Sequence, residues 1–175
     1  TATPLQLAMA TAILANGGNH IKPHLLRTAS GTTSFENINK SDYKVPYAGD
    51  PADWERMKVS MRDVVHGPNG TARATGYKVR GYEMAGKTGT AQVKGIKQGA
   101  KYDEATVGER FLDHGWFIGF APVDNPKIAV AVLVENGKHG SAMAPIARAL
   151  FDFELLGKRP EVAAIPTPAP AASDE

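Results

Sequence analysis

The sequence predicts an α/β protein of the α+β type, in which an antiparallel sheet is flanked by helices. Apolar residues recur at helical spacing near both ends of the chain, whereas three segments in its second half have the alternating or continuously apolar pattern of strands. The last two of these segments, 115–121 and 127–135, are joined by a turn-rich connector of hairpin length, 122–126. They are therefore expected to be antiparallel neighbours.

Three helices have ends that can be located in the sequence. The first follows Thr3, which forms a capping box with Gln6, and ends at 16–18. The second follows Asp50 as its N-cap and ends at 66–68, and the last runs from about 141 to 157. The apolar residues expected on the buried faces are Trp54, Met57, Met61, Val64 and Val65 in the second helix and Met143, Ile146, Ala147, Leu150 and Phe151 in the last.

Three strands are predicted, over 84–93, 115–121 and 127–135. Both faces of the third strand are apolar, which indicates a central strand covered by helices on both sides. The polar stretch 94–113 between the first two strands is too long for a tight turn and has the length of a functional loop.

Irregular structure is expected in two further parts of the chain. A short extended piece at 23–27 precedes a hairpin and surface loop over 30–49. Prolines among alanines predict a disordered tail over 158–175.

The composition excludes several classes of function. Among 175 residues there are 20 Lys and Arg against 18 Asp and Glu, a formal net charge of +2, and the basic residues are dispersed, which disfavours nucleic acid as a partner. Cysteine is absent, so disulfides, thiolate nucleophiles and cysteine-ligated metals are excluded. The longest apolar run, Ile128–Val134, has seven residues, whereas a membrane-spanning helix needs about 20. Because the first residue is Thr1 and not Met, we expect a processed chain or a fragment.

The motif around Lys87 admits two incompatible interpretations. Residues 81–88 fit the phosphate-binding pattern G-x-x-x-x-G-K-S/T, which would make the chain a P-loop nucleotide-binding module. That site needs a helix beginning at the lysine, and Gly89 and Thr90 are poor helix residues. The second interpretation takes Lys87-Thr88-Gly89 as the lysine signature of serine acyltransferases that recognise penicillin.

Other strings in the chain favour the second interpretation. They are Thr3–Ala8 (TPLQLA), His66–Ala72 (HGPNGTA), Lys87–Val93 (KTGTAQV) and Gly115–Pro122 (GWFIGFAP), in that order. With these strings the chain resembles the class B penicillin-binding proteins, and within them the elongation-type penicillin-binding protein 2 of Gram-negative bacteria. The resemblance covers 1–157 and implies the C-terminal part of a transpeptidase domain with the serine β-lactamase-like fold.

The resemblance implies roles for four consecutive residues. Lys87 and Thr90 are expected to be catalytic, and Thr88, Gly89 and Thr90 to bind substrate. A lysine on an extended strand presents its charge near a substrate carboxylate, and the two threonine hydroxyls, two residues apart, point to the same side. In the family the Thr90 backbone N–H forms an oxyanion hole with that of the nucleophilic serine, a contact typically worth about 3–4 kcal/mol.

The activity implied is a peptidoglycan D,D-transpeptidase, which cross-links stem peptides through a serine acyl-enzyme and is inhibited by β-lactams. No cofactor or metal is expected. The resemblance further implies a parent protein anchored in the inner membrane, with a periplasmic domain that works beside a membrane glycan polymerase and elongation-complex proteins. A serine β-lactamase or a D,D-carboxypeptidase is the alternative, because both use the same lysine motif.

The nucleophile that this chemistry needs is expected upstream of the chain. The family places its S-x-x-K and Ser-x-Asn signatures before the first helix, and the chain contains no Ser-x-Asn. The string Ser41-Asp42-Tyr43-Lys44 fits S-x-x-K only as letters, because it lies in a polar stretch next to Pro46. The chain alone is therefore predicted to be inactive, and the upstream part of the same protein to complete the fold.

The remaining candidates are weaker. Asp113-His114 could supply two members of a catalytic triad, but a loop end and a strand entry are the favoured interpretations. His20 and His24 have the spacing of metal ligands, yet Pro23 prevents a shared helix face.

Overall fold

The computed structural model describes residues 2–20, 22–23, 49–95 and 108–160. This part of the chain contains four helices, three strands and two short 3₁₀ turns. The elements are α1 (Pro4–Ala15), α2 (Asp53–His66), α3 (Arg73–Gly76), β1 (Ala85–Ala91), a 3₁₀ turn (Glu109–Phe111), β2 (His114–Ala121), β3 (Ile128–Val134), a second 3₁₀ turn (Gly140–Met143) and α4 (Ala144–Leu156). Within these ranges, no helix has the length and apolar character needed to cross a bilayer.

The three strands form one antiparallel sheet in the order β1-β2-β3. Ala85 lies opposite Phe120 at one end of the first pair, and Ala121 lies opposite Ile128 where the connector joins β2 to β3. The predicted antiparallel arrangement is confirmed. The central position predicted for β3 is wrong for the strands described, since β2 is the middle one. Apolar faces show that helices cover a strand, and they carry no information about whether its edges are paired.

Helices cover both faces of the sheet, as the pattern of β3 predicts. The two faces have separate clusters of buried side chains. On one face Phe117, Val130 and Val132 pack with Val65 of α2 and with Ala144, Ala147 and Phe151 of α4. On the other, Ala85 and Phe120 pack with Ala15 of α1 and Met61 of α2. Since α2 contributes to both clusters, it packs against side chains on both faces of the sheet.

Parts of the predicted apolar stripes are exposed. Met57 of α2 and Ile146 and Leu150 of α4 are 49%, 43% and 45% exposed, so their predicted burial is wrong in this part of the chain. The sheet covers only the strip of α4 that carries Ala144, Ala147 and Phe151. Helical spacing identified the correct side of each helix but overestimated the width of its buried strip.

Local hydrogen bonds and backbone conformation set the ends of three helices. At α1 the predicted capping box is present: the Gln6 N–H donates to Thr3 Oγ1 at 3.2 Å and the Thr3 N–H donates to Gln6 Oε1 at 2.8 Å. At α2 the N-cap is Ala52 and not Asp50, because the Asp50 carboxylate instead accepts from the Ala52 N–H at 2.9 Å in the preceding turn. Gly157 ends α4 as predicted, in the left-handed conformation that glycine favours.

Several predicted segments lie wholly or largely outside the described residues. These are the extended piece at 23–27, the hairpin and loop over 30–49, the S-x-x-K string at 41–44, most of the 94–113 loop and most of the 158–175 tail.

Candidate active site

The four predicted site residues lie consecutively on β1, at the edge of the sheet. Lys87 and Thr90 are exposed, whereas Thr88 and Gly89 are half-buried. Because side chains alternate along a strand, the two threonines project from the same face. The strand continues through Lys87 to Ala91, so no helix begins at the lysine, and the P-loop interpretation is wrong.

Lys87 places a positively charged side chain on β1, the edge strand of the described sheet. Its ammonium group donates to the Thr88 carbonyl oxygen at 2.8 Å, which holds the side chain along the strand. The same lysine borders a groove of about 400 Å³ between β1, the last two turns of α2 and the loop 67–71. The lysine head is exposed and is therefore available to an anionic group that approaches the strand.

The hydroxyl of Thr88 is held by a second threonine. Thr88 Oγ1 lies 2.9 Å from Thr71 Oγ1, and either hydroxyl can donate. Thr71 belongs to the loop after α2, which is anchored because the Ala72 N–H donates to the Val64 carbonyl at 2.9 Å. Thr71 was not predicted as a site residue. Its only signal in the sequence is the string 66–72 that contributes to the family resemblance.

Gly89 lies beneath the second 3₁₀ turn. A Cβ built on Gly140 would be 2.2 Å from the Gly89 carbonyl oxygen and 2.5 Å from that of Trp116, so the turn packs directly on the backbone of β1 and β2. The approach depends on the missing side chain of Gly140, since a Cβ built on Gly89 would meet only the Trp116 Cβ, at 3.4 Å. The sequence holds no signal for Gly140, since a glycine in a loop is ordinary there.

The last turn of α2 is attached to the residues that lead into β1. The Arg62 guanidinium donates to both oxygens of Glu83, at 2.8 and 2.5 Å, and His66 Nε2 accepts from the Met84 N–H at 3.2 Å. The hydrogen bonds from Arg62 lower the pKa of Glu83. Burial lowers the pKa of His66, since a charged imidazole is disfavoured away from water.

Asp113 and His114 bond to backbone groups. The buried Asp113 carboxylate accepts from the Val93 N–H at 3.4 Å, and His114 Nδ1 accepts from the Asn136 N–H at 3.0 Å. These contacts fix the loop end and the strand entry and offer no triad. In the described ranges no cluster of three His, Asp or Glu side chains is placed to hold a metal ion.

Residues 1–152 match the protein family described as penicillin binding protein transpeptidase domain. The chain belongs to this family.

Transpeptidases of this family and solved structures of penicillin-binding protein 2 are among the chain's relatives. It is 52% identical over 159 residues to peptidoglycan D,D-transpeptidase MrdA of Acinetobacter baumannii. This alignment covers 91% of the present chain and 23% of MrdA. Penicillin-binding protein 2 of Pseudomonas aeruginosa, solved in complex with WCK 5153, is 42% identical with a TM-score of 0.70 and covers 95% of this chain and 33% of that one. These matches confirm the resemblance to penicillin-binding protein 2 and the predicted fold.

A further solved relative contains a second protein. It is the complex between penicillin-binding protein 2 and MreC from Helicobacter pylori, 25% identical with a TM-score of 0.62, covering 88% of this chain and 25% of that one. The chain spans only 23% to 28% of the length of the first curated transpeptidases that it matches.

Proposed function

We propose that this chain contributes one wall of the active site of a peptidoglycan D,D-transpeptidase, and that 1–157 form the C-terminal part of its transpeptidase domain. The observation that carries the proposal is the position of Lys87–Thr90 on the exposed edge strand of a sheet whose sequence belongs to the transpeptidase family. The nucleophilic serine is expected upstream in the complete protein. It attacks the penultimate D-Ala carbonyl and releases D-Ala, and an amine of a neighbouring stem peptide then resolves the acyl-enzyme.

Each residue of the wall has a role suited to its placement. The Lys87 ammonium attracts the terminal carboxylate of the donor peptide and assists proton transfer at the serine. The hydroxyls of Thr88 and Thr90 donate to that carboxylate from one face of the strand. The Thr90 backbone N–H is proposed as an oxyanion-hole donor, which stabilises the tetrahedral intermediate by about 3–4 kcal/mol in comparable sites.

The edge position of β1 also suits the binding of an extended peptide. Only one side of β1 is paired with a strand in the described ranges. A free edge offers backbone N–H and C=O groups to an extended segment, which adds as a further strand. A stem peptide bound in this way would present its D-Ala carbonyl to the wall.

β-Lactams would acylate the same serine, in keeping with the penicillin-binding family to which the chain belongs. We also propose that the complete protein is anchored in the inner membrane, with this domain in the periplasm, and works with a membrane glycan polymerase. The complex of a relative with MreC supports an elongation-complex protein as a partner.

The test uses labelled penicillin on the complete protein. Covalent labelling is expected, and Lys87→Ala should lower its second-order rate constant by about 100-fold, the loss typical of removing one preorganised charge contact. Lys127→Ala is a matched control, because Lys127 is also exposed but lies immediately before β3, the strand at the other edge of the described sheet. Absence of labelling would overturn the proposal, and rapid turnover of the bound penicillin would favour a β-lactamase. The isolated chain should not be labelled.

A further inference from the structure

We propose that His66 is a positioning residue for the active-site wall: its neutral imidazole holds the backbone of Met84, the residue before β1, and so fixes where the strand presents Lys87–Thr90. The inference rests on the proposed function for the role of β1 as that wall.

The helix α2 and the loop after it hold β1 at two places. At its start, the Arg62–Glu83 ion pair and the His66–Met84 hydrogen bond attach the incoming segment to the last turn of α2. At its middle, the Thr71–Thr88 hydrogen bond attaches the strand to the loop that follows the same helix. A strand at the edge of a sheet has a partner strand on one side only, so side-chain contacts of this kind decide its position on the other.

Of these contacts, the one made by His66 is the least replaceable. The Met84 side chain is fully buried, and its N–H would lose its partner if the imidazole were removed. A buried N–H without a partner is expensive, so the backbone would move to find one. Met84 lies three residues before Lys87, and a shift there is transmitted directly along the strand.

The contact also depends on the protonation of the imidazole. To accept at Nε2, His66 must carry its hydrogen at Nδ1, and the doubly protonated ring cannot accept at all. The charged groups that face the ring are Arg62 and Asp63 from α2 and Glu83 from the segment before β1. Burial is the largest influence and lowers the pKa of His66 below the usual 6.5, so the contact is intact at neutral pH and is lost as the pH falls through the lowered value.

Two variants separate the hydrogen bond from the bulk of the ring. In His66→Gln the amide oxygen reaches the position of Nε2 and accepts the same N–H without titrating, whereas His66→Phe keeps an aromatic ring and removes the acceptor. On the complete protein, His66→Phe should lower the rate constant for labelled penicillin about tenfold at neutral pH. His66→Gln should stay within about threefold of wild type there.

The decisive measurement is the ratio of the His66→Gln rate constant to that of wild type as a function of pH. It should rise at least about threefold as the pH is lowered from 7.5 through the pKa of His66, which NMR titration of its ring locates in the folded protein, because only wild type loses the contact. A ratio that is flat with pH overturns the inference while leaving the proposed function intact. If His66→Phe does not fold, this ratio still decides.

Hydrogen exchange of the Met84 amide tests the contact without penicillin. After correction for intrinsic exchange, the protection factor of the Met84 amide should fall about tenfold in wild type over the same pH range. In His66→Gln it should not change. If penicillin labels no form of the protein, the proposed function is wrong and the positioning role falls with it, and the exchange result then tests only whether His66 holds the Met84 backbone.

Discussion

Replacing Gly140 with alanine should disturb the proposed active-site wall, Lys87–Thr90, through the backbone contact between Gly140 and Gly89. The added Cβ would lie 2.2 Å from the Gly89 carbonyl oxygen, 2.5 Å from the Gly89 nitrogen and 2.5 Å from the Trp116 carbonyl oxygen. Real Cβ atoms essentially never approach a neighbour closer than 3.0 Å, so the turn and the strands must separate by at least the 0.8 Å between 3.0 and 2.2 Å. All three contacts are with backbone atoms, which cannot rotate away as a side-chain end can.

The size of the expected rate loss depends on which residues this displacement moves. Gly89 is flanked by Thr88 and Thr90, so a shift of nearly 1 Å moves both proposed substrate-binding hydroxyls. Misplacement of about 1 Å typically costs about 100-fold in rate, and overpacking of this kind costs about 1–3 kcal/mol of stability. We therefore expect the acylation rate constant of the complete protein to fall about 100-fold, at temperatures where the variant is still folded.

The assay is the second-order rate constant for labelled penicillin, with the free energy of unfolding measured in urea on the same samples. Gly108→Ala is the control, since its φ of −59° suits alanine, and its Cβ would be 3.9 Å from the Phe111 side chain, an ordinary contact. It should change neither quantity. A Gly140→Ala protein that is acylated within about twofold of the wild-type rate would refute the reasoning, because the clash would then have relaxed away from the wall.

Three further changes test other contacts. Thr71→Val removes the hydrogen bond to Thr88 and should lower the acylation rate constant about two- to tenfold, with Thr71→Ser restoring it. Tyr82→Phe removes the 2.7 Å hydrogen bond to Asp152 and should lower the free energy of unfolding by about 1 kcal/mol in urea, with acylation unchanged. Because hydrogen bonds from an arginine of α2 lower the pKa of Glu83, its contribution to stability is present above pH 4.5 and is lost as the pH falls through the lowered value. Acid titration of Glu83→Gln should show a smaller loss of stability in that range than wild type, and equal losses would contradict the ion pair.

The features that could be predicted from sequence depend on residues close together in the chain. The capping box at Thr3 joins groups three residues apart, and the strand character of Lys87–Ala91 follows from Gly89 and Thr90, which disfavour the helix that a P-loop needs. The antiparallel pairing of β2 and β3 follows from the short connector between them. Local propensity and connector length are sufficient for such features, since the interacting groups have little freedom to be elsewhere.

The contacts that support the wall join residues far apart in the chain. Thr71 meets Thr88 across 17 positions and His66 meets Met84 across 18, while Gly140 reaches Gly89 from beyond β3. A threonine, a histidine or a glycine has the same appearance in a sequence whether it faces solvent or a buried backbone group. Only the path of α2 and of the second 3₁₀ turn across the sheet distinguishes the two.

The sequence by itself determined the family, the strand that carries Lys87–Thr90, both ends of α1 and the C-terminal end of α4, because short motifs and local backbone preferences depend on neighbouring residues. The start of α4, predicted near 141, lies at Ala144, after a 3₁₀ turn. The tertiary structure decided the order of the strands and which residues of each apolar stripe are buried. It also revealed the three residues that contact β1 or the residue before it from distant segments, Thr71, His66 and Gly140. The physical reason is that packing joins distant segments, and the free energy of those contacts depends on geometry that no single segment encodes.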